Sequence, residues 1–577
     1  MRVSVLQFAT TLSVSDNLNT CLRMIEEASS CAPELMVLPE FCNALSWYED
    51  QDHAWQLALD IDGEFLQKIS QQAKKHHCYI VINVSLRRKF PDITVTSLLF
   101  SPQGSLILEA DKQTLMGHEN DFFVRANKHS DVIETEFGQL GIFPCRDGVT
   151  CETPRSLALR GAQLFCDSLN SFALDEASLH VPARAPENKV FLASANKVGP
   201  LIPIEVLSDV AKATSIPEQF LMGAGESQIV APNGEILAKA AYNQEGFIYA
   251  DINLADSNNK CRPDGSDLFN NRRPELYQTI VKPAKQQYCR GGAEQVDIAL
   301  YQLPINLSEP LQRLINVKQQ LAARSEALIV LPELFFLADS VVNDIELARQ
   351  YSEMAIRDIA SILAPNQFVA TSLVIGDSHK AVLINEHGLE FSQGQLHQCK
   401  RHQWSDLADK LKVYSLPWGK VALLTGDDAC YPELAKVAAL QGVHALICPV
   451  DIQEPWEVDF GLLSRAAENR ICVIASSRNK LLEHKQLSGL VANLETDFTI
   501  MTPWQHRKFD GYINHPLLTR QQSGFTQTSI SPIAASNKLM SANTDLLSDR
   551  PWQLSDVLTT KTSTQLTTNN SNTMENK

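Results

Sequence analysis

Apolar and polar positions along this chain fall into two alternating periods, and the alternation is written twice. RVSVLQF (2–8) and VDIALYQL (296–303) are short apolar runs of strand type. Each is followed by a helical stretch and then a second strand ending in Leu-Pro-Glu, LMVLPE with Glu40 or ALIVLPE with Glu333. Gln7 lies 33 residues before Glu40 (40−7), and Gln302 lies 31 before Glu333 (333−302), so the register holds. A further helix and a β-branched strand follow, YIVINVSL or FVATSLVI. Then comes a hairpin around a glycine turn, TSLLF-SPQG-SLILEA in the first half and AVLIN-EHG-LEFSQG in the second. Alternating strands and helices predict an α/β domain in each half.

Each hairpin leads towards a lysine, Lys112 or Lys400. A strand then delivers Cys145 in the first half and Gly426 in the second, and an amphipathic helix follows. Both positions precede an Arg-Ala-x-Glu-Asn segment at one distance: Cys145 to Glu187 is 42 residues (187−145), and Gly426 to Glu468 is 42 (468−426). The repeat therefore keeps its frame and loses one reactive atom. The first half closes with the hairpin SQIVAPNGEILAKA and the segments EGFIYADINL and FNNRRPELY. The polar, glycine-containing KPAKQQYCRGGAE marks the boundary, placing one domain at 1–282 and another at 295–520. Beyond 521 the pattern fades. In residues 551–577, Ser, Thr and Asn fill 14 of 27 positions, too polar to offset chain entropy, so 521–577 is expected to be a disordered tail.

The 577 residues are long for one domain, and the hydrophobic fraction of 44% is that of a soluble globular protein. A net charge of −17 argues against phosphate binding, which needs clustered Lys and Arg, so no nucleic-acid partner is expected. No apolar run approaches the roughly 18–20 residues of a membrane span, and MRVSVLQFATT lacks the features of a signal peptide. Thirteen scattered cysteines without a C-x-x-C pair fit free thiols in a reducing compartment, so a cytoplasmic location is expected. His76, His77 and His402 show no ligand spacing, and Lys400-Arg401-His402 reads as a solvated face; no metal site is expected.

Cys145 stands where an apolar strand meets a helix, the usual place for sites in α/β sheets. A helix N-terminus favours a thiolate and offers a backbone N–H to an oxyanion. Glu40, also after a strand, is a candidate base if burial raises its pKa, and Lys112 a fixed positive charge beside an oxyanion. Each of these has an ordinary alternative: a buried Cys packs as a small hydrophobe, and Glu and Lys after strands sit in solvated loops.

The wording of five ordered motifs narrows the choice. VLPEF, DKQTLMGHENDFF, GIFPCRDGVTCETPRSLALRGA, PARAPENKVFLASANKVG and NRRPELY together resemble the nitrilase superfamily of carbon–nitrogen hydrolases over about residues 1–280. The resemblance implies two tandem four-layer α-β-β-α sandwich domains, the second degenerate. It implies Glu40 as general base, Lys112 as the oxyanion-stabilising cation, Cys145 as nucleophile and Glu119 as a second glutamate orienting the lysine or substrate. It implies that the Arg146 N–H completes the oxyanion hole and that Asn170 and Phe172 line the substrate pocket, core packing being the alternative for Phe172. No metal or organic cofactor is implied.

The resemblance implies an amidase acting on a small amide or N-carbamoyl compound, or else a nitrilase. Cys-Arg-Asp-Gly tilts the choice to an amide. Thr150-Cys151-Glu152 lacks the proline usual in the family, which leaves a non-catalytic binding or scaffolding protein as the third reading. About 295–520 resembles the family more faintly, through Glu333, Lys400, Asp428, Tyr431-Pro432-Glu433 and Arg465-Ala466-x-Glu468-Asn469. Gly426 cannot form a thioester, and Cys430 four residues on is expected to pack, so this domain is expected to be inactive. Its expected role is an internal partner in a pseudo-dimer, with further self-association left open.

Overall fold

The computed structural model describes residues 1–284, 289–303, 309–337, 344–478, 480–482, 485–495 and 508–561. The described residues form two compact units: 1–260 with 508–514 and 539–558, and 261–495 with 515–538 and 559–561.

In the first unit, one six-stranded sheet runs Gly246–Asp251, Arg2–Gln7, Leu35–Val37, Tyr79–Arg87, Ile93–Phe100, Leu106–Asp111. The second runs Ile236–Lys239, Gln228–Val230, Phe191–Ala195, Leu164–Ser168, Gly138–Pro144, Val132–Thr135. The central pairs are parallel and the outer ones antiparallel. The sheets face each other through Val3, Val5, Leu35, Val37 and Val81 on one side and Leu140, Ile142, Leu164, Cys166 and Ala193 on the other. Burying each of the valine, leucine and isoleucine side chains stabilises the fold by about 1.5–3 kcal/mol. Helices cover the outer faces. In Val14–Ala28 the buried Cys21, Met24, Ile25 and Ala28 recur at helical spacing, and Ser13 caps the start by accepting from the Asp16 N–H. Glu64–His76 buries Phe65, Leu66, Ile69 and Ala73 and stops at His77, where φ is +52°. The layers are therefore α-β-β-α.

The second unit repeats the strand order. One sheet runs Gly388–Gly394, Ser378–Asn385, Phe368–Ile375, Leu328–Val330, Val296–Gln302, Gly524–Ile530. The other runs Tyr414–Leu416, Gly419–Leu423, Ala445–Pro449, Cys472–Ser476, Leu490–Asn493, Leu517–Arg520. Ile298, Leu300, Leu328 and Val330 pack onto Val421, Leu423, Ala445 and Ile474.

The C-terminal region corrects the expected tail. Gly524–Ile530 is an edge strand pairing along its length with Val296–Gln302, and 539–558 packs in the first unit with short 3-10 turns and a small hairpin. An edge strand has one flank and one face in solvent, so GFTQTSI is too polar to read as a strand from composition. The rest of the expected tail, 562–577, lies outside the described residues.

Candidate active site

Three strand ends and one helical turn bring the first unit's candidate groups together. Glu40 follows Leu35–Val37, Lys112 follows Leu106–Asp111, Cys145 follows Gly138–Pro144, and Glu119 opens the single turn Glu119–Phe122. Lys112 Nζ donates 2.8 Å hydrogen bonds to Glu40 Oε1 and to Glu119 Oε1, and all three side chains are almost fully buried. Glu119 Oε2 accepts from the Met116 N–H at 2.8 Å, which fixes that carboxylate. Asp147 accepts from the N–H groups of Gln113 and Thr114, both at 2.8 Å, and so ties the turn after the cysteine to the segment after the lysine.

Cys145 sits in a sharp turn at φ +42°, a region L-residues avoid. Its N–H is held by Ser168 O at 2.9 Å and Asp167 Oδ1 at 3.0 Å. The short helix Arg146–Val149 begins immediately after it. The turn thus lifts the thiol off the strand end towards Glu40.

Burial pushes Glu40 up to about 7, with Lys112 pulling it down, Glu119 pushing it further up and the Cys145 thiol donating to it. Burial opposes the Lys112 ammonium, but the Glu119 and Glu40 carboxylates outweigh it and keep the lysine charged. Burial and the Glu40 charge hold the Cys145 thiol well above its ordinary range, so the resting sulfur is protonated. A protonated thiol beside a carboxyl that titrates near neutrality can transfer its proton locally, next to a fixed cation.

Arg146, Asn170 and Phe172 are arranged differently from one another. Arg146 is buried, and its Nε and Nη1 find no hydrogen-bond partner among the described residues. The Asn170 N–H draws the Cys145 thiol down, while its Oδ1 is buried and unpartnered among the described residues. Phe172 packs edge-on against Phe509 at 6.1 Å, within an apolar cluster with Leu207, Ile216 and Met540. Helix Glu152–Leu159 forms without the missing proline, carrying Pro154 in its first turn instead.

Sequence reasoning missed three contributors. Asp147 was only part of a motif. Lys197, wholly buried over the Phe41 ring at 5.8 Å, is pushed down to about 8 by burial. Thr544 Oγ1 accepts from the Gly117 N–H at 2.9 Å, inside the lysine-to-glutamate loop. The first two lie in recognisable motifs; Thr544 comes from a segment with no local signal.

In the second unit the same frame carries other groups. Asp428 accepts from Leu396 N and His397 N, as Asp147 does from Gln113 N and Thr114 N. This places Gln395, not Lys400, at the lysine position, directly after its strand. Lys400 is exposed in a 3-10 turn, which corrects the expectation. Spacing held the signal: Cys145 lies 33 residues after Lys112 (145−112), whereas Gly426 lies 31 after Gln395 (426−395) and only 26 after Lys400 (426−400). Seven residues on, His402 stands where Glu119 stands. His402 is buried against Glu333 and His379, so the expected solvated face is corrected as well. Cys430 packs against Arg262 and Glu457.

The carbon–nitrogen hydrolase family matches residues 2–259. A nitrilase of Pyrococcus abyssi is 28% identical over 267 residues, covering 46% of this chain and 94% of its own length. An omega-amidase of Xenopus tropicalis is 28% identical over 265 residues, covering 44% of this chain and 88% of its own. An amidase structure from Nesterenkonia sp. is 22% identical with a TM-score of 0.39, covering 48% of this chain and 95% of that one. No helix among the described residues is long and apolar enough to cross a membrane.

Proposed function

We propose that this chain, a carbon–nitrogen hydrolase of the nitrilase superfamily through residues 2–259, hydrolyses a small amide or N-carbamoyl compound through a thioester on Cys145. The observation that carries this reading is the Lys112 ammonium bridging Glu40 and Glu119 beside the thiol. Glu40 takes the thiol proton and the sulfur attacks the carbonyl carbon. The oxyanion is met by Lys112 Nζ and the Arg146 N–H. The C–N bond breaks and the nitrogen leaves as ammonia or an amine, taking its proton from Glu40. Glu40 then deprotonates water, which attacks the thioester; the acid departs and the sulfur regains its proton. Amide plus water gives acid plus ammonia, and no other reactant is consumed.

The omega-amidase relatives and the Cys-Arg-Asp-Gly wording favour an amide. The nitrilase relatives keep nitriles in the test. By this reading the second unit is a copy of the domain that has given up the chemistry. Thirteen scattered cysteines without a C-x-x-C pair support a reducing, cytoplasmic setting.

The test is ammonia release from a panel of amides, N-carbamoyl compounds and nitriles by the native chain and by Cys145→Ser. Release from amides that disappears in the variant is the expected result. Release from nitriles alone selects the nitrilase alternative. No release from any member, with Cys145 alkylated no faster than the other thiols, selects a binding protein.

A further inference from the structure

The second unit keeps a built polar site where the first has its catalytic group. Gln395 organises it. Its Nε2 donates to the His397 carbonyl at 2.6 Å, so its Oε1 faces the imidazoles, 2.9 Å from His379 Nδ1 and 3.2 Å from His402 Nδ1. A carbonyl oxygen only accepts, so this network assigns both protons to Nδ1 and leaves both Nε2 lone pairs outward. His402 Nε2 lies 3.3 Å from Glu333 Oε1, and Glu333 Oε2 accepts from the Gly426 N–H at 2.9 Å. His379 Nε2 accepts from the Ser372 hydroxyl at 2.8 Å. One ligand atom from each of Glu333, His379 and His402 lies within 4.8 Å of the others, and all three residues are buried.

With both Nδ1 positions turned to Gln395 Oε1, the Nε2 edge of His402 and the Glu333 carboxylate converge with no proton between them, a costly arrangement in a buried site unless a cation joins them. Arg401 reaches only to 3.9 Å of Glu333 and is engaged by Asp427 at 2.9 Å and Asp264 at 2.8 Å. The position opens on a cavity of about 760 Å³ lined by Glu333, His402, Asp451 and Arg478.

We propose that Glu333, His379 and His402 bind a divalent transition-metal ion of the zinc type, with further coordination positions turned to this cavity. Two imidazoles and one carboxylate are a donor set that suits zinc, cobalt or iron(II). Gln395 is the outer partner that fixes both rings. The ion takes the place of the Ser372 proton on His379 Nε2. Gly426 belongs to the same remodelling, because a Cβ there would lie 2.8 Å from Gln395 Oε1.

The experiment uses the full chain, stripped with a chelator and titrated with Co²⁺, then with Zn²⁺. The expected result is about one Co²⁺ per chain with d–d bands, no thiolate charge-transfer band, and displacement by Zn²⁺. H402Q and E333Q should each abolish this binding. Q395L, which removes no ligand, should weaken it about 10–100-fold. C145S should leave it intact. Thermal melts of each stripped variant identify any that fails to fold, and the remaining variants then decide. No bound equivalent in the native chain, binding unchanged in both H402Q and E333Q, or a thiolate band lost in a cysteine variant would each overturn the site.

Discussion

The two units hold the same backbone frame at their strand ends and load it with different chemistry. In the first, Cys145, Lys112 and Glu119 stand around Glu40; in the second, Gly426, Gln395 and His402 stand around Glu333. In both, an aspartate two residues past the nucleophile position, Asp147 or Asp428, accepts two backbone N–H groups from the segment beyond the hairpin. In both, the nucleophile position keeps a positive φ, +42° at Cys145 and +62° at Gly426. That conformation costs a cysteine on the order of 1–3 kcal/mol and a glycine almost nothing. The strain is thus retained where a reactive atom needs the turn and relieved where it does not. The frame belongs to the fold; the charge within it belongs to the function.

The largest effects should separate the two units by their cysteines. Cys145→Ser should lower amide hydrolysis at least about 1,000-fold, because the step through the thioester is lost, while Cys430→Ser should leave kcat as it was. Steady-state ammonia release measures both. Equal losses would mean that the second unit takes part in the chemistry.

Within the first unit, Glu40→Gln should cost about 100–10,000-fold through loss of the base, and Lys112→Met about 100–1,000-fold through loss of the oxyanion charge. A loss expressed in KM alone would move Lys112 from oxyanion stabilisation to substrate binding.

The pH profile sharpens the comparison further. In the proposed mechanism Glu40 works as a base in its ionised form, and burial raises it to about 7, so kcat/KM should fall as pH drops through 7. Glu119 raises Glu40, so Glu119→Gln should move that acid limb to lower pH while lowering the rate. A limb that stays in place would show that Glu119 is not felt at Glu40.

The smallest effect concerns reversal. Gly426→Cys should not restore a second active site, because its Cβ meets Gln395 Oε1 at 2.8 Å and Gln395 holds the position that Lys112 holds in the first unit. It should destabilise the chain by about 1–3 kcal/mol through overpacking, read in a denaturant melt. A variant more stable than the native chain, or one active alongside Cys145→Ser, would break the account of the second unit.

Much of this was legible in the sequence, and the failures have physical reasons. The strands before Glu40, Glu333, Cys145 and Gly426 finish in apolar runs buried on both faces, which is why their ends could be placed. Lys400 was chosen by residue type over register; the hydrogen bonds of Asp428 put Gln395 there instead. His402 read as surface because its neighbours are Lys400 and Arg401, yet a 3-10 turn sends the lysine out and the histidine in. Gly524–Ile530 read as tail because an edge strand shows polar residues to water, and its pairing with Val296–Gln302 has no local signature. Non-local partners, such as Thr544 on Gly117, are beyond any local pattern.

The most direct test is to quench the native chain during turnover of its best amide, digest it and locate the acyl group by mass spectrometry. A single acyl adduct on the Cys145 peptide, absent from Cys145→Ser, is the predicted result. Turnover with no adduct on Cys145, or an adduct on another cysteine such as Cys430, would contradict it.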